Sequence, residues 1–394
     1  MLAVSSGSTG EPTVWPRFVT HELGSAARFE QVLVHGFGAD QRSTLAVVCF
    51  ALGSWVGGMY TTAACRHLAA KGNPITVVTP GNNPLEILRI VGAIGHLFEQ
   101  VVLFGYPPFV KDVIDAGAGR GFDWPRYQVR IVLAGEVFSE DWRKLVCQRL
   151  GQTDPSLATA SLYGTADGGV LANETPLSIR IRRALAERPE VARQLFGEPR
   201  LPTLCQYDPA HRYFEVVDGQ LLFSGDGGAP LLRYNILDKG GVIPHADMLA
   251  FLDQHGLGFE LPARGSPLPF VYVFGRSNFA VSYYGANVYP ENVAVGLEQP
   301  EFADAVTSKF VLEVIEDAAL NAKLKLSVEL SASAESNAEL AARIQASVVR
   351  HLLLVNSEFA NYVPPQARDL ELTLLPLGDP EYFPRGVKHR YTRH

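Results

Sequence analysis

Near its start the chain carries a run of small hydroxyl residues and glycines, SSGSTGEPT, from Ser5 to Thr13. The backbone N–H groups of such a run can turn toward an anion, and the hydroxyls add further donors, so a loop around phosphate groups is one interpretation. The run is not a Walker loop, because Gly10 is followed by Glu11 where that motif requires lysine. The same composition is typical of a flexible linker, so the run alone leaves both interpretations open.

Five further stretches combine turn-forming glycines with residues capable of chemistry. They are AGE at 134–136, SLYGTADGG at 161–169, PLLRYNILDKGG at 230–241, GRSNFAVSYYGANVYPEN at 275–292 and GVK at 386–388. They supply carboxylates at Asp167 and Asp238 and cations at Arg276 and Lys388. Taken singly, each has an ordinary structural interpretation, such as a turn, a surface ion pair or a solvated lysine near the chain end.

Residues 44 to 170 alternate between apolar, β-branched runs and helix-like segments. The runs predict strands at Leu45–Leu52, Ile75–Thr79, Val101–Phe104, Val129–Leu133 and Ala160–Tyr163. The segments between them predict helices at Pro84–Phe98, Phe109–Ala116 and Ser139–Leu150. Ser139 is a candidate N-cap for the last helix. This alternation predicts parallel βαβ units and therefore an α/β fold.

The pattern changes beyond this α/β part. Residues 173–200 predict a charged helical segment at the surface, and Asp218-Gly219 between two strand-like runs predicts a hairpin. Farther along, two strands, a helix and a final strand predict a compact α+β unit. The sequence therefore predicts a large domain of residues 1–275 and a smaller domain of residues 279–394.

The composition narrows the class of protein. A chain of 394 residues with 47% hydrophobic content can bury a large core, and a net charge of −7 without long single-sign runs argues against a nucleic-acid-binding face. The four cysteines lie far apart without a CxxC pair, which favours reduced thiols in a cytoplasmic protein and no structural zinc. No secretory signal is expected. The uncharged stretch at 43–65 is long enough to span a membrane, but its glycines and hydroxyls favour a buried strand, a turn and a buried helix.

In this order and spacing, the stretches resemble the adenylate-forming superfamily of acyl-CoA synthetases, adenylation domains and luciferases, specifically its phenylacetate–CoA ligase branch. The resemblance runs from Ser5 to the C-terminus. It implies a large α/β domain that binds nucleotide and acyl group, and a small α+β C-terminal domain that acts as a mobile lid. It also implies activation of a carboxylic acid by ATP and Mg²⁺ as an acyl-adenylate, with release of pyrophosphate, and transfer of the acyl group to coenzyme A.

The resemblance implies roles for individual residues in nucleotide and metal binding. Tyr163 would pack against the adenine, Asp238 would accept hydrogen bonds from the ribose, and Arg276 would reach the ribose or a phosphate. Asp167 and Thr9 would hold the metal, and Lys388 would contact the α-phosphate and the substrate carboxylate. The implied nucleotide-binding residues are Ser5, Ser6, Gly7, Ser8, Thr9, Gly10, Tyr163, Gly164, Thr165, Asp238 and Arg276.

The acyl pocket and the hinge follow from the same resemblance. Asn278 stands where the family pivots its small domain. The implied pocket residues are Trp55, Phe109, Ala134, Gly135 and Glu136. Aromatic side chains at Trp55 and Phe109 would suit a flat, aromatic acid, although both could equally be ordinary core residues.

The chain also departs from the pattern of the family. Its phosphate loop begins at Ser5, whereas the family normally carries a sizeable segment before it, so a fragment and a shortened variant both remain open. The motifs depart from the family at four places: Glu11 for the usual lysine, Asp167 for glutamate, Asn278 for aspartate, and Asn235-Ile236-Leu237 for Arg-Thr-Gly before Asp238.

Three functions remain open at this point. The first is the acid–thiol ligase just described. The second performs the same adenylation but passes the acyl group to an amine, an amino acid or a carrier protein, and the third is a non-catalytic homologue that binds nucleotide or acyl group. We expect small-molecule partners, neither nucleic acid nor membrane, and an apolar face of the large domain could support a homodimer.

The acid at position 11 yields a first prediction. A negative charge in the phosphate loop opposes the triphosphate, so Glu11→Lys is expected to lower the Michaelis constant for ATP severalfold. The measurement is pyrophosphate exchange as a function of ATP concentration. The matched control is Glu190→Lys, in the segment predicted to lie at the surface. An unchanged or higher constant in Glu11→Lys would mean that Glu11 points away from the nucleotide.

Overall fold

The computed structural model describes residues 2–4, 13–53, 55–198, 201–226, 229–259, 267–276, 280–302, 304–331, 334–383 and 391–393. The chain divides into two compact units. The first contains residues 2–4 and Val14–Arg276, and the second contains Thr13 and the described residues from 280 onward.

The first unit is built on an 11-stranded sheet whose first part is parallel. A short antiparallel pair, β1 (Leu2–Val4) and β2 (Val14–Pro16), precedes it. The parallel strands lie in the sheet order β4-β3-β5-β6-β7. Their bounds are Thr44–Val48 for β3, Ile75–Val78 for β4, Gln100–Gly105 for β5, Arg130–Ala134 for β6 and Thr159–Thr165 for β7.

The remaining strands of this sheet are antiparallel and continue it in the order β8-β9-β13-β12-β11-β10. The sequence analysis predicted the hairpin within this part but not its other strands. Their bounds are Gly169–Asn173 for β8, Thr203–Gln206 for β9, Tyr213–Val217 for β10, Gln220–Gly225 for β11, Leu231–Ile243 for β12 and Phe270–Arg276 for β13.

Burial explains why the parallel strands read as continuous apolar runs. Every residue of β3 and of β5 is buried, so both faces of these strands are covered. The α/β class predicted from the alternating pattern is confirmed. The helices of this unit are α1 (Val19–Glu30), α2 (Val56–Ala70), α3 (Pro84–Ile94), α4 (Pro107–Ala118), α5 (Glu140–Arg149), α6 (Pro155–Ala158), α7 (Pro176–Ala186), α8 (Pro189–Phe196) and α9 (His245–Gln254).

Two local signals in the sequence act as expected. The side chain of Ser139 accepts a hydrogen bond from the backbone N–H of Trp142 at 3.1 Å, so it caps α5. Asp218 and Gly219 both have positive φ, 51° and 76°, and join β10 to β11 in the tight turn that suits hairpin twist. Both predictions are confirmed.

The prediction of a surface segment at 173–200 is wrong for α7. Ile179, Ile181 and Leu185 are fully buried, and Leu185 packs in a core cluster with Met248 and Phe270. The charges that suggested a solvated helix mislead, because one of them, on Arg182, is itself buried in an ion pair with Glu140. A charged residue therefore does not mark the surface here.

The uncharged stretch at 43–65 forms β3 and the first part of α2, as predicted. Gly58 lets α2 approach the chain closely, since a Cβ there would lie 2.3 Å from the carbonyl oxygen of Ala51. Within the described ranges, no helix has the length and apolar character needed to cross a membrane.

All four cysteines of the chain are buried and carry free thiols. Burial raises the pKa of the Cys49 and Cys65 thiols to about 12 and that of the Cys147 thiol to about 11. The Cys205 thiol is shifted in the same direction, its pKa raised chiefly by burial.

The second unit has the predicted α+β character. A three-stranded sheet pairs β17 antiparallel to β16 and parallel to β18, and Ile344, Val348 and Leu352 of its long helix are buried. The elements are β14 (Val281–Tyr283), β15 (Ala286–Val288), α10 (Pro290–Leu297), β16 (Val306–Glu316), β17 (Ala322–Leu330), α11 (Ala338–Val355), α12 (Ser357–Tyr362) and β18 (Glu371–Leu375).

The turn before Asp238 keeps a conformation that favours glycine although it contains none. The pairing of β11 with β12 is interrupted by a register shift, and within it Leu237 has a φ of 67°. The side chain of Asn235 accepts a hydrogen bond from the N–H of Leu237 at 2.7 Å, which holds this turn. Leucine in the left-handed region is strained, since its Cβ crowds the following carbonyl.

Leu237→Gly is therefore expected to raise the free energy of unfolding by up to about 1 kcal/mol, because it relieves this strain. Urea denaturation measures the change. Leu232→Gly, on the same strand and 83% exposed, is the matched control and is expected to lower the free energy of unfolding by about 0.5–1 kcal/mol. A loss of stability in Leu237→Gly as large as in the control would contradict the assignment of strain.

Candidate active site

The described site residues of the first unit lie where parallel strands end. The register places Gly105 beside Leu133 and Leu133 beside Ser161, so β5, β6 and β7 reach the same edge of the sheet. The segments carrying Gly135 and Asp167 leave the sheet at this edge. In open α/β sheets, ligands bind at the carboxyl ends of the strands, so this edge is the candidate site.

Tyr163, near the end of β7, is joined to Asp238 on β12. The Tyr163 hydroxyl donates a hydrogen bond to Oδ2 of Asp238 at 2.8 Å, and Asp238 is 6% exposed. The Tyr163 ring stacks on Phe214 with ring centroids 6.4 Å apart. On the adjacent strand, Arg276 is the register partner of Asp238. The structure thus brings together the residues to which the resemblance assigned adenine and ribose contacts.

Asp167, in the turn between β7 and β8, is joined to Tyr234 on β12. The Tyr234 hydroxyl donates a hydrogen bond to Oδ2 of Asp167 at 2.9 Å. Edge contacts with Trp15 and Phe223 hold the Tyr234 ring in place. The sequence analysis did not select Tyr234, although the spacing Tyr-x-x-x-Asp occurs at both 163–167 and 234–238.

Two motif residues before this turn have defined local roles. A Cβ on Gly164 would lie 2.7 Å from the carbonyl oxygen of Gly169, so β7 and β8 approach more closely here than a larger residue permits. The hydroxyl of Thr165 accepts a hydrogen bond from the N–H of Gly168 at 2.8 Å. Both residues therefore shape the turn that presents Asp167.

Two buried arginines bind the main chain of the same turn. Arg17, which follows β2 and is 3% exposed, donates hydrogen bonds to the carbonyl oxygens of Ala166 and, at 2.7 Å, of Asp167. Arg212, which precedes β10, donates to the carbonyl oxygen of Gly168 at 3.1 Å. Three consecutive carbonyl groups are thus held by two guanidinium groups. Sequence reasoning missed both, because neither lies in a recognised motif.

His21 on α1 completes this cluster. Its Nε2 lies 3.3 Å from the carbonyl oxygen of Gly168, and its Nδ1 lies 2.8 Å from the hydroxyl of Tyr60. Burial, followed by the charge of Arg17, lowers the pKa of His21 to about 4. The ring is therefore neutral near pH 7, which suits a position beside two guanidinium groups.

The predicted acyl-pocket residues fall into two groups. Trp55 is half-buried at the start of α2, and Ala134, Gly135 and Glu136 lie at and just beyond the end of β6, where Gly135 has a φ of 86°. Phe109, in the first turn of α4, is 1% exposed. Trp55 and the 134–136 segment are at least partly exposed, whereas Phe109 belongs to the buried core.

A buried ionic cluster holds the segment that follows Glu136. Arg143 is fully buried and binds Glu174 at 2.6 Å and Glu140 at 3.0 Å. Its guanidinium carbon lies 4.9 Å from the ring centre of Phe138. Arg182 binds Glu140 as well and donates to the carbonyl oxygen of Phe138 at 2.6 Å. Because breaking a buried pair leaves an uncompensated charge, this cluster fixes the path of the chain at residues 138–143.

Several predicted site residues lie outside the described residues. Arg276 is placed by its backbone at the end of β13, but its side chain is not described. The others are Ser5, Ser6, Gly7, Ser8, Thr9, Gly10, Glu11, Asn278 and Lys388.

The chemistry of Asp167 is compatible with the Mg²⁺ that the resemblance implies. Among the described residues, no group of three or more His, Cys, Asp or Glu side chains could hold a metal ion. Magnesium at nucleotide sites is commonly held by one or two carboxylates together with substrate phosphates, so a complete protein cage is not required. Tyr234 engages Oδ2 of Asp167, and Oδ1 is a hard oxygen donor of the kind that Mg²⁺ prefers.

Comparison with known proteins shows which solved structures share this fold. No protein-family model and no curated protein sequence matches the chain. A solved 2-hydroxyisobutyryl-CoA ligase, in complex with 2-HIB-AMP and CoA in the thioesterification state, matches 100% of this chain and 73% of its own at 14% identity and a TM-score of 0.65.

Two further solved structures match less of their own length. The amide bond synthetase McbA from Marinactinospora thermotolerans matches 95% of this chain at 15% identity and a TM-score of 0.55. The o-succinylbenzoate CoA synthetase MenE from Bacillus subtilis, a double mutant, matches 95% at 14% identity and a TM-score of 0.51. The chain spans 65% of each of these two proteins. The chain shares the fold of these two CoA ligases and of the amide bond synthetase, which is the fold that the resemblance implied.

The buried histidine gives a prediction about pH. An unfolded histidine titrates near pH 6.5, whereas His21 in the folded protein titrates near 4, so folding is disfavoured by its protonation. The free energy of unfolding is therefore highest above pH about 6.5. It falls by about 3 kcal/mol in total as the pH falls toward 4.

Urea unfolding of the wild type and of His21→Gln at several values between pH 7 and 4.5 measures the effect. The wild type is expected to lose free energy of unfolding more steeply across this range than His21→Gln. His96→Gln, at an exposed position, is the matched control and should keep the wild-type slope. Equal slopes in His21→Gln and the wild type would contradict the assignment.

Proposed function

We propose that this protein is an ATP-dependent ligase that activates a carboxylic acid as an acyl-adenylate and then transfers the acyl group to coenzyme A. The observation that carries the proposal is the placement of the Tyr163–Asp238 and Tyr234–Asp167 pairs at the carboxyl edge of a sheet with this fold. The division of the chain after Arg276 supports a lid function for residues 279–394 within the same proposal.

The nucleotide contacts follow from the chemistry of the pairs. A carboxylate accepts several hydrogen bonds, and Asp238, which accepts one from Tyr163, is assigned to the ribose hydroxyls. Because that bond fixes the Tyr163 hydroxyl, the ring is held in one plane and can present a face to adenine. Gly164 and Thr165 shape the adjoining turn, and the loop Ser5–Thr13 would contact the β- and γ-phosphates, with Ser8 and Thr9 nearest to them.

The reaction needs positive charge more than it needs a base. A carboxylate oxygen of the acid forms a bond to the α-phosphorus, and pyrophosphate leaves with the electron pair of the broken P–O bond. Both reactants are anions, so Lys388 is assigned to the α-phosphate and the acid carboxylate, where negative charge develops. Asp167 and Thr9 would hold Mg²⁺, which neutralises phosphate charge when bound.

The second step transfers the acyl group. A thiolate attacks the carbonyl carbon of the acyl-adenylate, and AMP leaves with the electron pair of the C–O bond. We propose an aromatic acid as the substrate, as in the phenylacetate–CoA ligase branch, because the half-buried Trp55 offers a flat apolar face for an aromatic ring. An amine acceptor is the second candidate, since one similar structure is by its name an amide bond synthetase.

Exchange of labelled pyrophosphate into ATP tests the first step. We expect exchange that depends on an added acid from a panel of aryl acids and on Mg²⁺. Lys388→Ala is expected to lose exchange by about 100-fold or more while it still binds ATP, because it removes charge stabilisation from the transition state. Lys323→Ala, exposed in the second unit, is the matched control and should exchange at the wild-type rate.

Product analysis distinguishes the acceptors. The protein is incubated with the active acid and ATP, and either coenzyme A or a panel of amines is added. We expect a thioester with coenzyme A and no amide with the amines. If only amides form, the CoA ligase proposal is wrong and the amine-accepting enzyme takes its place. Absence of exchange with every acid would contradict both and leave the non-catalytic binding protein.

A further inference from the structure

We propose that Tyr234 is a positioning residue that orients the Asp167 carboxylate for the divalent cation of the nucleotide, an assignment that rests on the proposed function. The sequence contains two segments of the form Tyr-x-x-x-Asp, at 163–167 and at 234–238. Each tyrosine donates to the aspartate of the other segment, at 2.8 Å and 2.9 Å. The two candidate carboxylates are thus linked by reciprocal hydrogen bonds.

These bonds connect strands that are distant in the sheet. Three strands, β8, β9 and β13, lie between β7 and β12. Four strand spacings would separate β7 from β12 by about 19 Å in a flat sheet, too far for a tyrosine to bridge. The antiparallel part of the sheet must therefore curve to bring β12 over the end of β7. The two reciprocal hydrogen bonds therefore hold β7 and β12 together through the carboxylates of Asp167 and Asp238.

The ring of Tyr234 is held in place by its packing contacts. Its ring contacts Trp15 edge-on at 6.4 Å between centroids and Phe223 at 5.6 Å, and it packs against a buried core cluster that includes Phe223 and Ile236. A fixed ring places the hydroxyl on Oδ2 of Asp167, and a hydrogen bond to a carboxylate is stronger than one between neutral groups. Rotation of the carboxylate is thereby restricted, with Oδ1 held in one direction.

The backbone of Asp167 is restrained separately. Arg17 and Arg212 hold the carbonyl groups of residues 166–168, so the main chain of the turn does not depend on Tyr234. Loss of the Tyr234 hydroxyl should therefore free the carboxylate without displacing the turn. Because the turn and the carboxylate are held by different residues, a role of Tyr234 in orienting the metal ligand can be distinguished from a role in folding.

The test measures how much a metal strengthens nucleotide binding, with no catalytic step involved. Titration calorimetry gives the dissociation constant of α,β-methylene-ATP, which cannot form an acyl-adenylate, in Mn²⁺ and in EDTA. The ratio of the two constants is the metal enhancement. In Tyr234→Phe we expect the enhancement to fall about tenfold, as is typical when a partner of a metal ligand is removed, while the constant in EDTA stays within about twofold of wild type.

Three further variants make the result specific. Tyr207→Phe removes a hydroxyl from the same core cluster and should leave both constants unchanged. Tyr163→Phe should weaken binding equally in Mn²⁺ and in EDTA, because its partner is the ribose carboxylate. In an Asp167→Asn background, Tyr234→Phe should cause no further loss of enhancement, since the group that it orients is no longer a charged ligand.

The outcomes separate this proposal from the ligase function. A wild-type enhancement in Tyr234→Phe would overturn it, and so would an equal loss in Tyr207→Phe or a loss that persists in the Asp167→Asn background. A wild type without metal enhancement would overturn it as well. If pyrophosphate exchange fails with every acid but the pattern of enhancements holds, the positioning role stands and the ligase function falls.

Discussion

The hydrogen bonds from Arg17 and Arg212 to the carbonyl groups of residues 166–168 are the constraint on which the candidate site depends. A buried carbonyl group without a partner costs about 1–3 kcal/mol, and a buried guanidinium group without partners costs more. The turn and the arginines therefore stabilise each other. One arginine follows β2 and the other precedes β10, so distant parts of the first unit must fold together before Asp167 is in place.

Much of the scaffold could be predicted because its signals are local. A parallel strand buried on both faces must be apolar throughout, as β3 and β5 are, and a turn with two positive φ angles selects residues such as Asp218 and Gly219. The carboxyl edge of the sheet then follows from the parallel direction of these strands. Gly135 and Asp167 come directly after β6 and β7 in the chain, so parallel strands put both residues at this edge.

The contacts within the site could not be predicted, because they join residues far apart in the chain. Arg17 binds a turn about 150 positions away, and Arg212 lies 191 positions from His21. No periodicity encodes such a pairing. Charge misled for a related reason: Arg182 suggests solvent on α7, yet its partner Glu140 comes from α5, and only the packing of the two helices makes burial favourable.

The buried cysteines have a consequence for the proposed activation of carboxylic acids. An acyl-adenylate is a mixed anhydride, and a thiolate exposed on the protein would be acylated by it. Here all four thiols are buried and their raised pKa values keep them protonated at neutral pH. The four cysteines thus offer no exposed thiolate to compete with an incoming acceptor, so under the proposed function an acyl-adenylate would not acylate them.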